Sequence, residues 1–129
     1  MAEHNQIGKL GEQISKTFLI KHGFLFIENN YRTRQGEVDI VVKKDNKIHF
    51  IEVKSVKVRS FDNITNLVVR PEDNLTKNKW SKLTICIESY LQHRNVPRET
   101  RWQVDLACVY INTETRQGMV KLLENIQIE

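Results

Sequence analysis

Cysteine is scarce. Cys86 and Cys108 are the two in 129 residues, each in apolar surroundings, and no metal-ligand spacing surrounds either. A disulfide-stapled scaffold and a cysteine-based zinc site are therefore not expected, and both thiols are read as reduced core residues. Long apolar runs are absent too, so no stretch could cross a bilayer as a helix. The opening Met-Ala-Glu-His-Asn-Gln has no basic region followed by an apolar one. No signal peptide is expected there, and a cytoplasmic location follows from that together with the reduced thiols. With two prolines, no repeats and no low-complexity tract, the chain is expected to fold as one domain spanning residues 1–129.

What is present is an ordinary globular composition, 40% hydrophobic and 28% charged, with a net charge of +4. That charge permits a polyanionic partner without demanding one. Its distribution says more. Arg32 and Arg34 precede a two-strand pattern, and Lys54, Lys57, Arg59, Arg70, Lys77, Lys79 and Lys82 follow it. A nucleic-acid phosphate would need such a cluster, and a merely solvated basic face would look the same.

Periodicity predicts the elements. Ile7, Leu10, Ile14 and Phe18 form one helical stripe over about Asn5–His22, with Asn5 as N-cap and Gly23 as stop. Gly8, Gly11 and Ser15 make one flank small, so another backbone is expected to approach it. Strands follow at Phe24–Glu28, Val38–Lys43 and Lys47–Val53, with Asn29 and Asn30 ending the first. Val56 and Val58 could extend the third before a long connection to about Asp73. A second helix spans Leu75–His93, capped by Asn74 or Thr76. An internal strand spans Trp102–Ile111, and an edge strand Met119–Leu123. Asp105, on the internal strand, is read as structural rather than catalytic, capping or pairing with an arginine such as Arg101.

Two acids sit where apolar strand residues are expected, Asp39 and Glu52. If Asp45-Asn46 is a two-residue hairpin loop, Ile40 faces Ile51, Asp39 faces Glu52 and Glu37 faces Lys54. Like charges about 5 Å apart are destabilising unless a cation lies between them or one takes a proton. Lys54 falls on the same face as Glu52 by period-two alternation. The competing reading is a plain Glu37–Lys54 ion pair with the acids at an exposed end.

Glu12 on the first helix, Asp39 on a strand and Glu52-Val53-Lys54 on the next form a pattern that resembles the PD-(D/E)xK nuclease superfamily. Over nearly the whole chain, the sequence is similar to the bacterial YraN-like, endonuclease-like family. Gly8-x-x-Gly11-Glu12, Asn30-x-Arg32, Gly36-Glu37-Val38-Asp39-Ile40, Phe50-Ile51-Glu52-Val53-Lys54, Lys79 and Asp105 carry the likeness. One departure is Val56, where the family usually carries arginine. Another is a longer following loop. The resemblance implies an α/β, restriction-endonuclease-like mixed sheet flanked by helices, in the order α-β-β-β-α-β-β. It implies catalytic roles for Glu12, Asp39, Glu52 and Lys54, and Mg²⁺ (or Mn²⁺) on Asp39, Glu52 and the Val53 carbonyl. The partner would be nucleic acid, DNA in the first instance and branched or structured DNA in particular, contacted by Arg32, Arg34, Lys57, Arg59 and Lys79. Resolvase-like relatives suggest a homodimer. The alternative is a degenerate nuclease fold that binds nucleic acid or protein without cutting.

Overall fold

The structure is a computed structural model that describes residues 2–62, 64 and 70–128, with side chains from Gln6 onward. Helix α1 runs Ala2–Lys21 and is followed by β1 (Leu25–Arg32), β2 (Glu37–Lys44) and β3 (Lys47–Val58). Two helices follow, a short α2 (Pro71–Asn74) and α3 (Lys77–His93). Strands β4 (Arg101–Asn112) and β5 (Gly118–Leu123) complete the fold. The expected order holds, with α2 as an addition. Residues 63 and 65–69 of the expected connection lie outside the described residues.

One five-stranded sheet has the order β1-β2-β3-β4-β5. Its pairs are antiparallel except β3 with β4, which run parallel from Lys47↔Arg101 to Val58↔Asn112. A parallel pair needs a crossover, and the segment carrying α2 and α3 supplies it. α3 packs Leu83, Cys86, Ile87 and Tyr90 against Val41, Phe50, Val104 and Leu106 on one face. On the other face, α1 packs with Ile40, Ile51, Ala107, Val109 and Ile111. β4 is therefore buried on both faces, as its apolar run, broken only by Asp105 between Val104 and Ile111, predicts. Both cysteines are buried free thiols.

Local chemistry explains the joints. Gly23 adopts φ +90°, its N–H donates to Ile20 O at 3.2 Å, and Phe24 N–H donates to Leu19 O at 3.0 Å. This is a Schellman stop, sealed by Phe24 against Leu19. Asp45 and Asn46 both have positive φ, 53° and 61°, the type I′ turn that matches strand twist. That turn fixes the hairpin register as Lys44↔Lys47 and Ile40↔Ile51, as expected. Thr76, not Asn74, caps α3, its Oγ1 accepting from Lys79 N–H.

Several sequence expectations need correction. Asn5 is not the cap of α1, because the helix already begins at Ala2. Asn29 and Asn30 do not end β1. The strand continues through them to Arg32, with a bulge after Phe26 and φ +56° at Asn30. An edge strand tolerates such polar residues because much of it faces water. Gly8 has open space where a Cβ would stand, so close approach is confined to Gly11 and the buried Ser15. Asp105 pairs with His49 rather than Arg101.

Candidate active site

The acids occupy a fork in the sheet. The β2–β3 ladder stops at Ile40↔Ile51, one residue short of Asp39 and Glu52. Below that point β2 continues beside β1, through Tyr31↔Val38 and Arg32↔Glu37. β3 continues beside β4, from Glu52↔Leu106 onward. The expected Asp39–Glu52 and Glu37–Lys54 ladder pairs therefore do not form. The strands part there, and Asp39 bridges the gap with its side chain. Its Oδ2 accepts the Val53 N–H at 2.8 Å, satisfying an amide that the broken ladder would otherwise orphan.

Asp39 and Glu52 are neighbours at the gap and line the same clefts. Two carboxylates side by side repel unless one holds a proton or a cation joins them. Burial pushes Asp39 up to about 7, opposed by the Val53 N–H and reinforced by the charges of Glu12 and Glu37. Burial pushes Glu52 up to about 8, followed by the charge of Asp39, with Lys79 opposing. Glu12 is also raised, first by burial and then by Glu37. A hydrogen bond from Asn30 and the charges of Arg32 and Lys9 oppose that rise. Glu37 is bound to Arg32, Oε2 to Nε at 2.9 Å. That contact removes the Glu37–Lys54 ion pair as the rival reading.

Two clefts meet at the fork, and both are lined by Asp39 and Glu52. Toward α1 the other walls are Ile7, Gly8, Glu12, Val53, Lys54, Ser55 and Lys57. Toward α3 they are Gln35, Gly36, Glu37, Leu75, Lys79, Lys82 and Leu83. Gly11 makes the first cleft possible. A Cβ there would overlap the Ser55 hydroxyl and crowd the Ser55 Cβ at 3.1 Å, so glycine favours this close approach of α1 to β3, which brings Glu12 to the acids.

Of the residues singled out in the sequence, Glu12, Asp39, Glu52, Val53, Lys54 and Lys57 line one cleft, and Lys79 lines the other. Arg32 is engaged by Glu37. Arg34 and Arg59 are exposed and line neither cleft. Lys82 was read only as part of the basic cluster and not as a site residue, and Gln35 was missed. Lys82 sits one turn from Lys79, so helical spacing alone could have found it. Gln35 gives no sequence signal of its own. Asn30, part of the Asn-x-Arg match, acquires a role as the partner of Glu12.

The donor set suits a hard divalent ion. It offers oxygen ligands and clustered carboxylates with raised proton affinity, whose repulsion a cation would relieve. Among the described residues, a tighter group of ligand-bearing side chains lies elsewhere, at His49, Asp105 and Glu124, within 4.8 Å of one another. Asp105 there is already engaged on both oxygens. Its Oδ2 bonds His49 Nδ1 at 2.6 Å, and its Oδ1 accepts from Gln103 Nε2 at 2.8 Å and Asn125 N–H at 2.9 Å. That arrangement pins the segment after β5 to the sheet.

A five-stranded mixed sheet between helices, with an acid fork between its second and third strands, defines a restriction-endonuclease-like α/β domain. The comparisons with known proteins agree. The chain belongs to the uncharacterised protein family UPF0102, which matches residues 11–109. This is the YraN-like family, of PD-(D/E)xK nuclease-like proteins. A UPF0102 protein of Campylobacter lari is 36% identical over 120 residues, covering 92% of this chain and 91% of its own length. A UPF0102 protein of Nitratiruptor sp. is 33% identical over 122 residues, covering 95% and 93%. One from Flavobacterium psychrophilum is 32% identical over 110 residues, 85% of each chain. Among the described residues, no helix is long and apolar enough to cross a membrane.

Proposed function

We propose that this chain is a metal-dependent endonuclease that hydrolyses phosphodiester bonds of DNA, with branched or structured DNA as its substrate class. The observation that carries the reading is the meeting of Asp39 and Glu52 at the fork of β2 and β3, where both line the clefts that also hold Glu12, Lys54 and Lys79. Setting a buried acid beside a half-buried one is costly unless a site uses them. Asp39, Glu52 and the Val53 carbonyl would hold Mg²⁺ or Mn²⁺. When bound, the ion supplies an acidified water and neutralises charge building on the phosphate. Lys54, in the same cleft, orients the attacking water and stabilises the phosphorane oxygens. Glu12 holds the water from the helix side, and its own position is set by Asn30. Lys79, beside Glu52 across the fork, binds the phosphate.

A second reading, binding without hydrolysis, is favoured by Val56. It lies two residues beyond Lys54 on the same face of β3 and is 37% exposed where the family usually carries a cation. One assay separates the two. Branched and single-stranded DNA are incubated with the protein in Mg²⁺ or Mn²⁺, alongside Asp39→Ala and Glu52→Ala. Hydrolysis is expected from the parent, falling by more than about 100-fold in each variant, since ligand loss exceeds the 10–100-fold typical of residues behind the ligands. Cleavage that survives both substitutions overturns the mechanism. Binding with no cleavage in either metal establishes the second reading.

A further inference from the structure

A third cleft adjoins the fork and has no place in the reaction just described. It lies between α1 and β1, and Glu12 lines both it and the α1-side acid cleft, so the two are neighbours through one residue. Its remaining polar walls are Lys9, Gln13 and Lys16 from α1 and Asn29 and Asn30 from β1. Lys9, Gln13 and Lys16 are spaced four and three apart, which places them along one helix face. At 1.5 Å per residue, the two lysines stand about 10 Å apart along the axis.

Apart from the Glu12 carboxylate at the edge it shares with the acid cleft, the polar lining is cationic or neutral. Two ammonium groups flank three carboxamides, which can both donate and accept. Lys16 lies over the Phe26 ring with Nζ 4.0 Å from its centre, which covers the aromatic and leaves the ammonium at the cleft. The bulge in β1 and the left-handed backbone at Asn30 interrupt the edge strand at this wall. Asparagine adopts the left-handed backbone more readily than most residues, and here it does so where its side chain meets Glu12. At 290 Å³ the cleft is near the lower bound for small-molecule pockets, about 300 Å³, which suits a single nucleotide and not a duplex.

We propose that the α1–β1 cleft is a nucleic-acid subsite that receives the single strand running past the scissile phosphate, with Lys9 and Lys16 on two phosphates of that strand. The inference rests on the nuclease reading for its direction, since the cleft extends outward from the acids. It makes strand ends and flaps better ligands than continuous duplex.

The test is equilibrium binding by fluorescence anisotropy, with Ca²⁺ present to prevent turnover. The probes are a labelled DNA single strand, its RNA counterpart and a blunt duplex, each over a range of salt. Wild type is compared with the Lys9→Ala/Lys16→Ala double variant and with a charge-matched control, Lys21→Ala/Lys43→Ala. Each phosphate contact on a single strand contributes about 0.7 to the slope of log K against log salt. Losing two lowers the slope by about 1.4, which corresponds to about 25-fold weaker binding at 0.1 M salt. That loss is expected on single strands, while the control retains the wild-type slope. Equal slopes for wild type and the Lys9/Lys16 variant overturn the subsite, as does an equal loss in the control. The nuclease reading is judged separately, by metal-dependent cleavage with wild type. Strand binding lost in the variant while wild type fails to cleave would keep the subsite and remove the hydrolysis.

Discussion

Replacing Glu52 by glutamine tests the shared proton. The folded protein raises both carboxyls, Asp39 from 3.8 to about 7 and Glu52 from 4.5 to about 8. A carboxyl raised by folding binds its proton more tightly in the native state. Stability is therefore full below the unfolded value and falls as pH rises toward the folded one. For this pair the window is about pH 4 to 8. A shift of three units is worth about 4 kcal/mol. Because the two groups share one proton, that cost is counted once. The metal-free protein is expected to lose about 4 kcal/mol between pH 5 and 9. That is a large part of a typical domain stability of about 5–15 kcal/mol. At this chain length it corresponds to a fall in Tm of about 12 °C or more. Glutamine keeps the shape of Glu52, and its amide donates to Asp39 as the protonated acid does, without titrating. Glu52→Gln should match wild type at pH 5 and exceed it by about 2–4 kcal/mol at pH 9. The assay is urea denaturation in EDTA at pH 5, 7 and 9. A wild type whose stability is flat across this range, or a variant that falls as steeply as wild type, refutes the reasoning.

Three further substitutions probe the frame around the site. Gly11→Leu would force α1 away from Ser55 and should cost about 2 kcal/mol by denaturation, while withdrawing Glu12 from the acids. Asp105→Ala leaves His49, Gln103 and the Asn125 N–H without their acceptor and should cost about 3 kcal/mol, read as a lower urea midpoint with an unchanged slope. Ser15→Ala removes a buried hydroxyl that has no hydrogen-bond partner and improves helix propensity, so Tm should rise by a few degrees.

The parts of the fold legible in the sequence are those set by local rules. Alternation and the Asp45-Asn46 pair predict the β2–β3 hairpin and its register, because side-chain period and turn geometry leave little freedom there. Gly23 ends α1 for the same kind of reason. The opening of the fork was not legible. Extending the register past Ile40↔Ile51 places Asp39 across from Glu52, whereas β2 and β3 follow different neighbours from that point. Only the whole sheet decides which partner each strand keeps. The length of β1 was hidden similarly, since Asn29 and Asn30 break a strand by propensity and are tolerated on an edge. The partner of Asp105 was missed because His49 lies 56 residues away and meets it only through the parallel β3–β4 pairing. Glu12 and Lys79, unremarkable alone, gain meaning because the fold carries both to the walls of the two clefts.

The central claim is that the Asp39–Glu52 pair is a divalent-metal site. Calorimetric titration of Mn²⁺ into the protein at pH 7, repeated in buffers of different ionisation enthalpy, tests it most directly. One Mn²⁺ should bind per chain with release of about one proton, the one the two carboxyls share, and Asp39→Asn should abolish both. Absence of Mn²⁺ binding, or binding with no proton released and no loss in Asp39→Asn, contradicts the account.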